Sequence, residues 1–261
     1  IQQPPTEPVS GKIKVIFKKV ESQPIIGKTQ PTIREPQVLS FKFLPMLANK
    51  FQERKKYVTY PCMVQPKLDG VRYTAYKISQ TMVTVRTRND TQCLFFDEIK
   101  QAILQLDLDP NVLLDGEFYS RTIPFRTLNG YCNRKKLDGK TGFNTIPKKE
   151  LLSIHYNLFD CYFINNPQKP FNQRYEYLSH VMSQNKNPYL ELVPTTSVNN
   201  EEEINQHQLS FIEDGYEGIM IRNISGPYKL KDRSNDLLKY KNFKDTEFVI
   251  AGATCPPNGK E

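Results

Sequence analysis

The chain has 261 residues, 38% apolar and 25% charged, and its 36 Lys and Arg against 28 Asp and Glu leave a net charge of +8. Fourteen Tyr and fifteen Phe argue against a disordered chain, and no apolar run approaches the ~20 residues of a membrane span, so a soluble, intracellular, globular protein of one large or two small domains is expected. Five scattered cysteines without a C-x-x-C pair and three distant histidines give neither a disulfide framework nor a zinc site, while the positive excess permits a phosphate-backbone partner without proving one.

Residues 1–40 hold six of the 19 prolines around a strand-like stretch at 12–20. Proline donates no backbone hydrogen bond and resists both helix and central strand, so this segment reads as an arm or linker. The chain opens with Ile1 and is expected to be a piece of something longer. After Pro45, the spacing of Met46, Leu47 and Phe51 predicts a short helix. Strands are predicted over 62–67, 71–78, 82–87, 112–119, 154–163, 189–194, 218–222, 237–241 and 247–253, and helices over 97–106, 170–183 and 201–213. The last helix has Asn200 as its cap and acids in its first turn. Tight connections such as Asp69-Gly70 and Gln80-Thr81 favour antiparallel pairing. The expected class is α+β, with mainly antiparallel β-sheets flanked by helices.

Five short islands carry the chemistry. Lys67-Leu68-Asp69-Gly70-Val71-Arg72 places a lysine at the end of an apolar strand, followed by a turn whose glycine lets a ligand approach closely. Lysine is almost never buried without a partner, so that position is unusual. Leu114-Asp115-Gly116-Glu117 ends an apolar strand with two acids, and Phe159-Asp160 lies inside another. Glu217-Gly218-Ile219-Met220-Ile221-Arg222 puts an acid at a strand start. Leu237-Leu238-Lys239-Tyr240-Lys241 sets two lysines on one strand face, because side chains alternate. Taken singly, each also reads as an ordinary hairpin turn, core aromatic or solvated charge. The tetrapeptide Lys136-Leu137-Asp138-Gly139 repeats the first island without a strand before it and reads as a loop.

In this order the islands resemble the signature K-x-D-G-x-R, D-G-E, F-D, E-G-x-M-x-R and L-L-K-x-K of the nucleotidyltransferase core of ATP-dependent DNA ligases. That core belongs to the lysyl-AMP superfamily, which also holds RNA ligases and mRNA capping enzymes. The resemblance covers roughly Pro45 to Ala253. It implies an ATP-grasp-like core at 41–244, an arm at 1–40, and at 245–261 only the start of an OB-fold domain, since about twenty residues cannot form a five-stranded barrel. It also implies a monomer acting on nicked duplex DNA with ATP and Mg²⁺, and no membrane partner.

The resemblance assigns roles residue by residue. Lys67 is the nucleophile that becomes lysyl-AMP, with Asp69 orienting it or the metal. Glu117 and Glu217 hold Mg²⁺, and Glu117 also meets the AMP ribose. Phe159 stacks on adenine, and Gln65 occupies the position that reads the adenine edge, where many cellular ligases have Glu. Lys239 and Lys241 take the triphosphate charge and favour the neutral amine that Lys67 needs, since an ordinary lysine titrates near ~10.4. Arg88 matches the arginine that touches the ribose and the nick phosphate; Arg86 competes for that match and spacing to the following helix favours Arg88. Arg72 is expected to contact the nucleotide and Arg222 a nucleic-acid phosphate. A capping guanylyltransferase is disfavoured by Glu217 through Arg222 and by Lys244-Asp245-Thr246-Glu247. A binding module that has lost catalysis is disfavoured by the intact Lys67, Glu117, Glu217, Lys239 and Lys241. The run from Arg222-Asn223 to Gly226-Pro227-Tyr228 leans towards ligases of large DNA viruses.

Overall fold

The computed structural model describes residues 42–94, 96–133 and 146–241. The readings at 1–40, at Lys136, at 247–253 and beyond Lys241 lie outside the described residues. Two five-stranded sheets form the frame. The first has the order β1 (Leu47–Lys50), β10 (Arg233–Lys241), β9 (Gly218–Asn223), β2 (Cys62–Lys67), β8 (Thr196–Val198). The second has the order β4 (Val83–Thr87), β3 (Val71–Lys77), β5 (Val112–Tyr119), β6 (His155–Phe163), β7 (Leu190–Leu192). Pairing is antiparallel except for β1 with β10 and β6 with β7. The α+β expectation holds.

Alternation decides what each strand faces. On the first sheet Cys62 and Val64 of β2, Ile219 and Ile221 of β9 and Leu238 of β10 share a core with Phe51 and with Ile204 of α6 (Glu201–Glu213). The opposite face of those strands is left for the site. On the second sheet Tyr73, Ala75, Leu114 and Phe118 pack against Ile99 and Ile103 of α2 (Asp97–Leu104), Leu128 of α3 (Phe125–Cys132) and Leu178 of α5 (Phe171–Ser183). A third cluster lies where the two sheets approach, with Leu113 and Tyr162 from one and Leu237 from the other around Phe43, Met46 and Tyr228. Burying each such side chain is worth ~1.5–3 kcal/mol, so the sheets are joined by their own core at one end of the space between them.

The Asn200 cap is formed, its side chain accepting from Glu203 N. The helix expected after Pro45 is not: residues 47–50 pair with β10, and a single helical turn, α1 (Phe51–Arg54), follows. Packing of Phe51 against the first sheet replaces the helical face that the spacing suggested. Helix α3, the short α4 (Lys148–Leu151) and strand β8 had no expectation. The last two are brief, and α3 buries Leu128 and Cys132 against the second sheet's core.

Candidate active site

The free face of the first sheet forms one wall of a cavity of about 680 Å³. Register places Gln65 opposite Met220, which is opposite Lys239, and Lys67 opposite Gly218, which is opposite Lys241. Cross-strand partners share a face, so Gln65, Lys67, Lys239 and Lys241 all line the cavity. The spacing in L-L-K-x-K is thereby explained, because both lysines point in while Leu238 and Tyr240 point to the core behind.

Gly218 is the pivot of this wall. Its φ is +150° and a Cβ there would lie 2.2 Å from Tyr240 O, so only glycine fits between β2 and β10. Glu217, just before it, is tied back by its N–H to Lys67 O at 3.0 Å. Its two carboxylate oxygens take the ammonium groups of Lys67 and Lys241, one each. Burial pushes the Glu217 carboxyl upward, but these two lysines outweigh it and hold the group below its ordinary value. Burial and the nearby cations Lys241, Arg233 and Lys67 push Lys239 down.

The facing wall comes from the second sheet. Arg72 of β3 donates to Asp115 through Nε at 2.9 Å and through a terminal nitrogen at 2.5 Å, and to Met46 O at 2.8 Å. Glu117 of β5 accepts from Gly70 N at 3.2 Å. Burial raises the Glu117 carboxyl to about 7, against the opposing pull of Lys67, Arg72 and the Gly70 amide. Phe159 owes its place to a β-bulge. Asp115 pairs with Asp160, but Gly116 pairs with Leu158, so Phe159 is the extra residue of β6. A bulge re-aims a side chain, and this one puts the ring on the cavity wall with the guanidinium carbons of Arg72 and Arg222 5.4 and 5.6 Å from its centre.

Behind Phe159 runs a buried charge network. Asp160 is fully buried and accepts from Arg174 and from Arg222. Burial works against its charge, and the two arginines overcome it, so the carboxyl sits below its ordinary value. Arg222 also donates to Gln65 Oε1 at 2.7 Å.

Ten of the residues singled out in the sequence gather around this space: Gln65, Lys67, Arg72, Arg88, Glu117, Phe159, Arg222, Lys239 and Lys241 on its walls, and Glu217 through its two lysines. Asp69 is exposed at its turn and does not line the cavity. Arg222 is 3% exposed and engaged by Gln65 and Asp160. So enclosed, the guanidinium forms part of the pocket wall. Arg88 and Arg86 are placed apart. Arg88 lines the cavity, whereas Arg86 pairs with Asp90 and lines a separate cavity of about 490 Å³. Arg174, Thr195 and Tyr228 had no sequence assignment. Arg174 carried one signal, a lone cation on the apolar side of α5 beside Phe171 and Leu178.

The residues suit Mg²⁺ chemically. Carboxylate oxygens are the hard donors this ion takes, and it needs only one or two when phosphates and water complete its shell. Among the described residues no group of three His, Cys, Asp or Glu gathers as a metal cage. A cation beside Glu117 would also relieve the burial of its charge.

The description "ATP dependent DNA ligase domain" belongs to a family model that matches residues 45–241. The DNA ligase of an African swine fever virus tick isolate is 31% identical over 205 residues, 76% of this chain and 46% of the viral protein. The DNA ligase of Methanosphaera stadtmanae is 26% identical over 221 residues, 80% of this chain and 38% of that one. The solved Chlorella virus DNA ligase-adenylate has a TM-score of 0.59 at 25% identity, over 79% of this chain and 70% of its own. The bacteriophage T7 ligase complexed with ATP, at 15% identity and a TM-score of 0.53 over 77% and 68%, shares the fold. The chain spans about half the length of the curated relatives it matches. On the match across residues 45–241, the chain belongs to the ATP-dependent DNA ligase family.

Proposed function

We propose that this chain forms the adenylating unit of an ATP-dependent DNA ligase, with residues 41–244 as its nucleotidyltransferase domain, and that Lys67 is the nucleophile. The observation that carries the reading is the meeting of Lys67, Glu217 and Lys241 around Gly218 in a cavity also lined by Phe159 and Gln65. Lys67 Nζ attacks the α-phosphorus of ATP; the N–P bond forms, the bridging P–O bond breaks, and pyrophosphate leaves. The ammonium proton that Lys67 shares with Glu217 passes to that carboxylate to free the amine before attack, and the second proton leaves the nitrogen to solvent as the N–P bond forms. Lys239 and Lys241 meet the phosphate charge, which suits a reaction governed by positioning and charge neutralisation. Phe159 stacks on the base. Arg72 supports that wall, Glu117 meets the ribose, and Arg88 contacts ribose and nick phosphate. Asp69, exposed at its turn, is proposed to act through the turn that seats Lys67. AMP then passes to the 5′-phosphate of nicked duplex DNA, and the 3′-hydroxyl displaces it. Bound Mg²⁺, held by Glu117 and Glu217, would neutralise phosphate charge.

The test is incubation with labelled ATP or GTP and Mg²⁺, followed by a denaturing gel. A covalent label from ATP supports the proposal. A label from GTP alone points to a capping guanylyltransferase, and no label from either to a binding module.

A further inference from the structure

Gln65 is 1% exposed, and its polar atoms are engaged in a fixed sense. Its Nε2 donates to Phe159 O at 3.0 Å and to Thr195 Oγ1 at 2.8 Å, while Oε1 accepts from Arg222 Nε at 2.7 Å. An amide has two N–H donors and an oxygen with two lone pairs. Both donors are therefore used, and one lone pair of Oε1 is left.

The sense is imposed from deeper in the protein. Arginine only donates and an ionised carboxylate only accepts. Arg174 donates through Nε to Asp160 Oδ1 at 2.8 Å and through a terminal nitrogen to Oδ2 at 3.0 Å. Arg222 donates to the same Oδ2 at 2.7 Å. Arg174 is itself seated by the carbonyls of Lys169 at 2.6 Å and Gly226 at 3.0 Å. Arg222 is thus held with Nε towards Gln65, and only the amide oxygen can receive it. Thr195 completes the lock, because its hydroxyl donates to Val193 O at 3.3 Å and so accepts from Gln65.

We propose that Arg174, through Asp160 and Arg222, is a positioning residue for purine selection: it fixes Gln65 so that this side chain can only accept a hydrogen bond from a base. The proposal rests on the reading of Gln65 and Phe159 as the base seat. A purine with a 6-amino group donates to Oε1. A 6-oxo purine in the same seat sets oxygen against oxygen, and a buried acceptor without a donor is costly.

The experiment titrates the whole chain with ATP, ITP and purine riboside triphosphate, which has no group at position 6, by calorimetry. The wild type is expected to bind ATP most tightly and ITP least. Thr195→Val removes one of the two acceptors that hold Nε2 and so loosens the fixed sense of the amide, and the ATP-to-ITP affinity ratio should fall about 2- to 12-fold, the worth of one hydrogen bond. Arg174→Lys, which keeps the charge but loses the fork, should lower the ratio in the same direction. If both variants lower all three affinities in parallel, or only lower Tm, Arg174 has a structural role alone and the proposal is overturned. If Arg174→Lys does not fold, an unchanged ratio in Thr195→Val overturns it by itself. If the wild type binds purine riboside triphosphate as tightly as ATP, the base does not meet Gln65, and the base-seat reading fails first.

Discussion

Gly70 N donates to Glu117 Oε1 at 3.2 Å, tying the turn after Lys67 to a strand of the other sheet. Gly70 leads from β2 of one sheet into β3 of the second, and Glu117 stands on β5 beside β3. The lysine and the buried carboxylate are thus set against each other by one backbone hydrogen bond. A Cβ at Gly70 would lie 2.4 Å from Phe118 O and 2.8 Å from Glu117 Cγ. Gly70→Ala should force these apart and lower the adenylation rate by ~100-fold, the usual loss for a misplaced reactant. Single-turnover labelling with ATP measures it, and a rate within twofold of wild type refutes the linkage.

Lys67→Arg separates chemistry from architecture. Arginine keeps a cation for Glu217, so the fold and ATP binding should survive, but the guanidinium is no nucleophile at neutral pH. The covalent label should vanish while Tm stays within a few degrees. Lys136→Ala should leave the label unchanged. A label lost through Lys136 and kept through Lys67→Arg reverses the assignment.

The parts of this site that were legible in the sequence are those written in local patterns. Lys67 at a strand end before Asp-Gly, and Lys239 with Lys241 at period two, are visible because alternation alone decides which way they face. The exact spans of β2, β5 and α6 follow from the same periodicities. The role of Phe159 comes only from the resemblance, because its direction depends on a bulge that no alternation reveals. The enclosure of Arg222 is illegible for a related reason. Its partners, Asp160 and Gln65, come from β6 and β2, and no local signal says that a strand arginine is enclosed rather than solvated. The stretch after Pro45 looked helical because apolar spacing over seven residues cannot register the pairing of β1 with β10.

Phe159→Ala tests the base seat while leaving Lys67, Lys239 and Lys241 in place. Aromatic stacking on a base is worth ~1–3 kcal/mol, so ATP affinity should fall about 5- to 150-fold. Calorimetry with ATP and inorganic triphosphate distinguishes the outcomes. Triphosphate binding should hold, since Lys239 and Lys241 remain. Equal losses for both ligands, or a lower Tm with unchanged ATP affinity, would make Phe159 a packing residue.

Glu117 should leave a signature in stability against pH. Its carboxyl titrates near about 7 in the fold against an ordinary value of 4.5, chiefly because burial disfavours its charge. Between those values the folded chain holds a proton that the unfolded chain has released, so this group's contribution to stability falls as pH rises. It is fully present below pH 4.5, is lost across the window, and levels off above about 7. Glu217, Asp160 and Asp236 are shifted the other way, and their contributions are lost on acidification. The informative quantity is therefore the Tm of the wild type minus that of Glu117→Gln, where those terms largely cancel. This difference should decline steadily from pH 4.5 to 7 and then flatten. Mg²⁺ should shift the decline to lower pH, since a bound cation favours the carboxylate. A difference that is flat across the window would mean that Glu117 is ionised throughout, with Lys67 and Arg72 overcoming its burial.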